Sequence, residues 1–264
     1  MTPVEVVRGT GPVILGMPHG GTFLPAEVAA RLNARGRELA DTDWHIDALY
    51  AGLLPGASVV RATFHRYVID ANRPPDGASL YPGQNTTGLI PETDFDGQPI
   101  WEAPPAPADT AARRAAFHAP YHAALAAEIA RVRAAHGVAI LWDCHSIRSH
   151  IPFLFAGRLP DFNIGTADGT SCDARITAAV QDACAGAAGF AQVTNGRFKG
   201  GWTTRHYGRP AEGVHAIQME IAQSAYLASE AAPFAFSPER AARIRPVLAD
   251  ALARLAALAP DLKG

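Results

Sequence analysis

Two short apolar runs, each breaking off at a histidine, constrain this chain more than any other feature. The segment Val-Ile-Leu-Gly-Met at 13–17 leads through Pro18 to His19-Gly20-Gly21, and Ala-Ile-Leu-Trp-Asp at 139–143 leads to Cys144-His145-Ser146. Runs of this length without polar alternation read as strands buried on both faces, which occur where helices cover a parallel sheet. Ala-rich helical patterns do alternate with such runs along the chain, so the expected fold is α/β: a single mixed, partly parallel sheet flanked by helices. With 264 residues, 48% hydrophobic and 18% charged, the chain can bury the core that such a sheet needs, and one domain over 1–264 is expected.

The pattern predicts strands at 13–17, 59–63, 67–70, 138–143 and 214–221, and helices at 25–35, 43–54, 113–136, 175–187 and 238–258. Thr42 or Asp41 is available to cap the second helix. Phe117, Tyr121, Leu125, Ile129 and Val132 recur at helical spacing on one face of the 113–136 segment. Between 74 and 107 the chain is rich in Pro, Gly, Asn, Thr and Asp, with turn signals at Pro82-Gly83 and Asp96-Gly97. A long ordered loop inside a compact domain is usually functional. A second irregular stretch runs over 145–173, and 196–213 is loaded with glycine, arginine and aromatic residues.

Composition narrows the function. The formal net charge is -2 with no basic block, which removes the footprint of a nucleic-acid binder. No apolar stretch is long enough to cross a bilayer as a helix, and the amino terminus lacks the pattern of a signal peptide. Cys144, Cys172 and Cys184 are sparse and without CxxC spacing, as reduced thiols are, so a cytoplasmic location is expected. No GxSxG elbow is present, and Gly9-Thr-Gly11 precedes the first strand where a dinucleotide loop would follow it.

The remaining chemistry gathers at strand ends. His19 and His145 each close a strand, at the sheet edge where open α/β folds hold ligands. Imidazole is the commonest zinc ligand, and Asp143 can take the second ring proton. Two unrelated loop histidines are the bland alternative. A catalytic zinc has three protein ligands and one open position, so a carboxylate is needed; Asp43 is chosen, with Asp47 one helical turn on as the alternative. Glu220 sits in the apolar run 214–221, where an unpaired charge is costly, and suits a general base unless that strand lies at an edge and faces solvent. Asn72-Arg73 and the cations Arg197, Lys199 and Arg205 suit a small dicarboxylate substrate, the alternative being a solvated surface. His45, His122 and His206 receive no role.

Ordered segments along the chain carry a resemblance: PHGG at 18–21, DTDWHIDALY at 41–50, RYVIDANRPP at 66–75, SLYPGQNTTGL at 79–89, LWDCHS at 141–146, LPDFNIGTADGTSC at 159–172 and NGRFKGGWTTRHYGRP at 195–210. YHAALAAEIARVRAAHG at 121–137 extends it. In these the chain resembles the N-formylglutamate amidohydrolases, the deformylases of histidine degradation, which are similar to zinc carboxypeptidases and to acylglutamate and acylaspartate hydrolases. The resemblance implies a phosphorylase/hydrolase-like fold, one zinc per chain, and hydrolysis of N-formyl-L-glutamate to formate and L-glutamate. It implies metal-ligand positions for His19 and His145, a substrate carboxylate held by Asn72-Arg73, and Glu220 as the base. The related peptidases carry an acidic ligand three residues after the first histidine; here that position is Thr22, so the acid comes from 41–47. On that reading Glu220 and Arg73 act on the reacting amide, while Asn72, Arg73, Lys199 and Arg205 bind the substrate. Rival readings are a hydrolase of another N-acyl amino acid or small peptide on the same scaffold, and a carboxylate-binding protein without turnover.

Overall fold

The computed structural model describes residues 2–80 and 83–262. Seven strands form one mixed sheet: β1 (Val4–Val7), β2 (Val13–Met17), β3 (Ser58–Ala62), β4 (Ala139–Ile147), β5 (Phe162–Gly165), β6 (Gln192–Thr194) and β7 (Val214–Ala222), in the spatial order β1-β3-β2-β4-β7-β5-β6. The four central strands β3, β2, β4 and β7 are mutually parallel, β1 runs antiparallel to β3, and β5 antiparallel to β7. Every residue of β2, β4 and β7 is buried. That burial is the physical reason for their unbroken apolar character.

The helices are α1 (Ala26–Ala29), α2 (Ala34–Arg37), α3 (Ile46–Tyr50), α4 (Pro107–Arg113), α5 (Ala119–His136), α6 (Ala174–Ala185), α7 (Trp202–Tyr207) and α8 (Pro238–Leu258). The central strands send alternate side chains to opposite layers. Leu15 and Trp142 join Ile244, Leu248, Leu252 and Leu255 of α8 in one core, whereas Ile14 and Leu141 join Tyr121, Leu125, Ile129 and Val132 of α5 in the other. No described helix is long and apolar enough to cross a membrane. All three cysteines are buried and unbridged, in keeping with reduced thiols.

Several local expectations are corrected. The segment 25–35 is broken into α1 and α2, because the Asn33 side chain caps the second by accepting from Gly36 N at 2.8 Å while its backbone N–H donates to Ile100 O. The second helix is confined to Ile46–Tyr50 and starts after His45, which has a left-handed φ of 58°. Neither proposed cap serves it: Thr42 Oγ1 donates to Leu39 O, and Asp41 accepts from the Tyr67 hydroxyl and Phe95 N. The segment 67–70 is a turn, closed by Val68 N to His65 O and by Arg73 N to Asp70 O. A five-residue π-helical turn, Arg114–His118, joins α4 to α5, so the rod begins earlier than the pattern suggested. The Asp96-Gly97 turn is present, with Gly97 at φ 76°; Pro82 of the other turn signal lies outside the described residues.

Of the two glycines after His19, Gly21 is required by packing. A Cβ there would lie 2.4 Å from the carbonyl carbon of Thr63, because the chain leaving β2 runs against the chain leaving β3. Gly21→Ala is therefore expected to destabilise the fold by about 1–3 kcal/mol or more, read as a lowered urea midpoint at unchanged m-value.

Candidate metal centre

The parallel strands β2, β4 and β7 end at one edge of the sheet, the place where such folds collect ligands. His19 lies just beyond β2. His145 and Glu220 are direct neighbours across the β4–β7 ladder. Asp43 reaches in from the loop before α3, where its N–H donates to His19 O at 3.1 Å. Among the described residues, His19, Asp43 and His145 present one buried donor atom each, all within 4.8 Å of one another. Asp47 lies elsewhere: it is exposed and pairs with Arg61 at 2.8 Å. The short α3 is the reason, since Asp43 precedes it and shares no helical face with Asp47.

Both rings turn Nδ1 toward Asp43 Oδ2, at 3.9 Å for His19 and 3.3 Å for His145. Their outer nitrogens face carboxylates. His19 Nε2 meets Asp70 Oδ1 at 2.7 Å, and His145 Nε2 lies 3.1 Å from Asp143 Oδ1. At His19 this is the carboxylate–histidine arrangement that fixes tautomer and ring orientation at metal sites. Asp143 lies beside the His145 ring, and its Oδ2 accepts from Thr204 Oγ1 at 2.9 Å. Asp70 was missed, having been read as a strand terminus. It is anchored in turn by Arg66 at 2.6 Å and by the backbone N–H of Asn72 at 2.8 Å.

The electrostatics fit a cation. Asp43, Asp70, Asp143 and Glu220 are all buried here, against the buried Arg66 and the partly buried Arg73. Burial, reinforced by Arg66, lowers the His19 pKa despite Asp70, which keeps the ring neutral as a ligand must be. For Asp70 burial acts upward, yet Arg66 and His19 overcome it and hold the carboxyl well below the usual range. At His145 burial acts downward, and Asp143 and Asp43 outweigh it to raise the ring well above its ordinary value. Burial pushes Glu220 up to about 8, with Asp43 adding to it while His145 pulls the other way. A dication held among His19, Asp43 and His145 would take the place of the protons that burial and crowded carboxylates favour on Glu220 and His145.

The cavity over the triad is lined by Arg66, Asn72, Arg73, Thr86, Thr87, Phe95, Ile147, Arg197, Phe198, Gln218 and Glu220, among others. Arg73 is oriented by Thr87, whose carbonyl accepts from Nε at 2.8 Å and whose hydroxyl accepts from Nη2 at 3.1 Å. Asn72 Nδ2 lies 3.0 Å from His145 Nε2, and its Oδ1 accepts from Thr203 N at 2.8 Å. The structure thus brings His19, Asp43, His145, Glu220, Asn72 and Arg73 together. Lys199 and Arg205 are not among the lining residues; Lys199 pairs with Asp168 at 3.1 Å and Arg205 Nε donates to Gly200 O. Arg197, from the same run of cations, does line the cavity, and so does Gln218, which donates to Glu220 Oε2 at 3.3 Å. The alternation of 214–221 places Gln218 on the same face as Glu220, a signal available in the sequence.

Two outcomes test these arrangements. Asp70→Ala removes the acceptor behind His19, so metal affinity is expected to fall about 10–100-fold, measured by competition with a chromophoric chelator. Burial also depresses buried imidazoles away from the triad: His122 is pushed down to about 3 and His65 well below its ordinary value. Unfolded, both take a proton near about 6.5. Between those values the unfolded chain binds more protons, so stability rises with pH and falls as pH drops from about 6.5 toward 3. The urea midpoint is expected to fall on acidification from neutrality, and to fall less in His122→Gln.

Known proteins resemble the chain over most of its length. Residues 11–227 match the N-formylglutamate amidohydrolase family. The chain is 49% identical over 254 residues to an N-formylglutamate deformylase of Pseudomonas aeruginosa, covering 95% of this chain and 94% of that one. It is 47% identical over 253 residues to an N-formylglutamate deformylase of Pseudomonas putida, with the same coverage. The crystal structure of an N-formylglutamate amidohydrolase from Ralstonia eutropha superposes with a TM-score of 0.81 at 26% identity, over 97% of this chain and 98% of that one. With its sheet, its donor cluster and these matches across most of its length, the chain belongs to the N-formylglutamate amidohydrolase family.

Proposed function

We propose that the protein is a zinc-dependent N-formyl-L-glutamate deformylase of histidine degradation, one domain over 1–264 acting in the cytoplasm. The observation that carries the reading is the buried His19–Asp43–His145 cluster beside Glu220, at the floor of a cavity walled by arginines. The 49% identity to a named N-formylglutamate deformylase supports the choice of substrate.

His19, Asp43 and His145 would hold the zinc through Nδ1, Oδ2 and Nδ1. When bound, it supplies Lewis acidity, polarising the formyl carbonyl and making water acidic enough to lose a proton near about pH 7. Glu220 takes the proton of the attacking water and returns it to the departing amide nitrogen, so formate and the amine of L-glutamate separate. A carboxyl pushed up to about 8 by burial and its charged neighbours would be drawn toward its anionic form by a dication held in the triad, which would bring it closer to the range where a general base works well. Asn72 and Arg73 grip a substrate carboxylate, Arg73 also lying near the developing oxyanion. Lys199 and Arg205 remain proposed contacts of the substrate's carboxylates, beside Arg197, which lines the cavity.

Kinetics with a series of N-acyl glutamates test the reading. N-formyl-L-glutamate is expected to exceed N-acetyl and N-succinyl-L-glutamate in kcat/KM by at least about tenfold per added group. A preference for a larger acyl group would instead assign the protein to another N-acyl amino acid.

A further inference from the structure

We propose that His118 and His122 are positioning residues, a two-imidazole clamp that holds the main chain of residues 71–73 so that Asn72 and Arg73 stay aimed into the cavity. The inference rests on the reading of Asn72 and Arg73 as substrate-binding residues. That segment belongs to no strand or helix, so something outside it must fix its course.

The two rings do so symmetrically. His122 Nε2 lies 2.8 Å from the carbonyl oxygen of Ala71, and His118 Nε2 lies 3.0 Å from that of Arg73. A carbonyl only accepts, so both rings donate from Nε2, and they grip the two peptide units that flank the Asn72–Arg73 peptide. His122 Nδ1 is left as an acceptor and meets the Tyr207 hydroxyl at 3.1 Å. The two histidines stand four positions apart, which places both on one face of the rod, where the π-helical turn Arg114–His118 runs into α5. Such turns recur at functional sites.

The clamp is also coupled to the opposite wall. Trp202 packs edge-on against His122 with ring centroids 4.5 Å apart and tilted against His118 at 5.6 Å. The next residue, Thr203, donates its N–H to Asn72 Oδ1 at 2.8 Å. The fit leaves no slack, since a Cβ at Gly201 would lie 2.1 Å from Asn72 Nδ2. Both histidines are buried, and burial lowers the pKa of each. Two histidines filling space would not need two donors aimed at the carbonyls of Ala71 and Arg73, one on each side of that of Asn72.

Paired substitutions separate positioning from packing. The double variant His118→Phe with His122→Phe keeps ring volume and loses both donors, whereas His118→Gln with His122→Gln keeps an amide N–H near each Nε2. In the zinc-loaded protein, the Phe pair is expected to raise KM for N-formyl-L-glutamate at least about tenfold with a much smaller change in kcat. Calorimetric affinity for L-glutamate should fall by about the same factor, zinc content should be unchanged, and the Gln pair should recover most of both losses. Wild-type KM and glutamate affinity in the Phe pair, or equal losses in both pairs tracking a lowered Tm, overturn the clamp. Should the Phe pair not fold, the single variants His118→Phe and His122→Phe carry the same comparison. Arg73→Ala is the control: if it leaves KM unchanged, the substrate-binding reading itself fails, whereas a raised KM there beside wild-type values in the Phe variants removes the clamp alone.

Discussion

Replacing Glu220 by Gln is expected to lower kcat by about two to four orders of magnitude while zinc content and KM stay near wild type. The substitution is nearly isosteric, and Gln218 can still donate to the carbonyl oxygen of the new amide as it donates to Glu220 Oε2 at 3.3 Å. What is lost is the ability to accept a proton from water and return it to nitrogen. The site carries no ready substitute. Asp43 points between the His19 and His145 rings, and Asp70 and Asp143 lie behind them. Stopped-flow detection of formate release, with zinc measured on the same samples, decides the point. A kcat within a few-fold of wild type removes Glu220 from proton transfer.

His145→Ala is expected to be the more damaging change, abolishing zinc binding and lowering kcat/KM by at least about three orders of magnitude, as the loss of several kcal/mol of Lewis-acid stabilisation requires. The cause reaches beyond one missing ligand. The ring separates Asp43 from Asp143, 3.3 and 3.1 Å away on its two nitrogens, and Glu220 is its neighbour across the ladder. Without it, three carboxyl groups share a buried space with neither imidazole nor metal between them, and like charges at that range raise one another's pKa. Added zinc should not restore activity. Asp47→Ala supplies the contrast, because Asp47 is exposed and pairs with Arg61, and both zinc content and turnover should be unchanged. Wild-type metal content in His145→Ala would place the metal elsewhere.

How far such a site can be read from sequence depends on what kind of signal each residue leaves. His19, His145 and Glu220 lie at or within buried strands, and an unbroken apolar run that stops at a polar residue is visible without coordinates. All three strands proved parallel neighbours, so their polar ends meet. Asp43 left a weaker trace. The helix expected over 43–54 shrinks to Ile46–Tyr50 because the Asp43 backbone bonds to His19 O, a tertiary contact that overrides local propensity. The choice between Asp43 and Asp47 therefore rested on geometry that does not exist. Asp70 illustrates a different limit: its apolar lead-in, Tyr67-Val68-Ile69, imitates a strand, but those side chains are buried by a turn. Lys199 and Arg205 illustrate a third, since a cluster of cations in one loop says nothing of which side chains turn inward.

The most direct test of the account is formate release from N-formyl-L-glutamate by the purified protein, measured as isolated, after exhaustive chelation, and after stoichiometric zinc is returned. The expected result is turnover that disappears on chelation and returns with about one zinc per chain. Turnover that survives complete removal of metal would contradict the role given to His19, Asp43 and His145, and absence of formate from the zinc-loaded protein would contradict the proposed reaction itself.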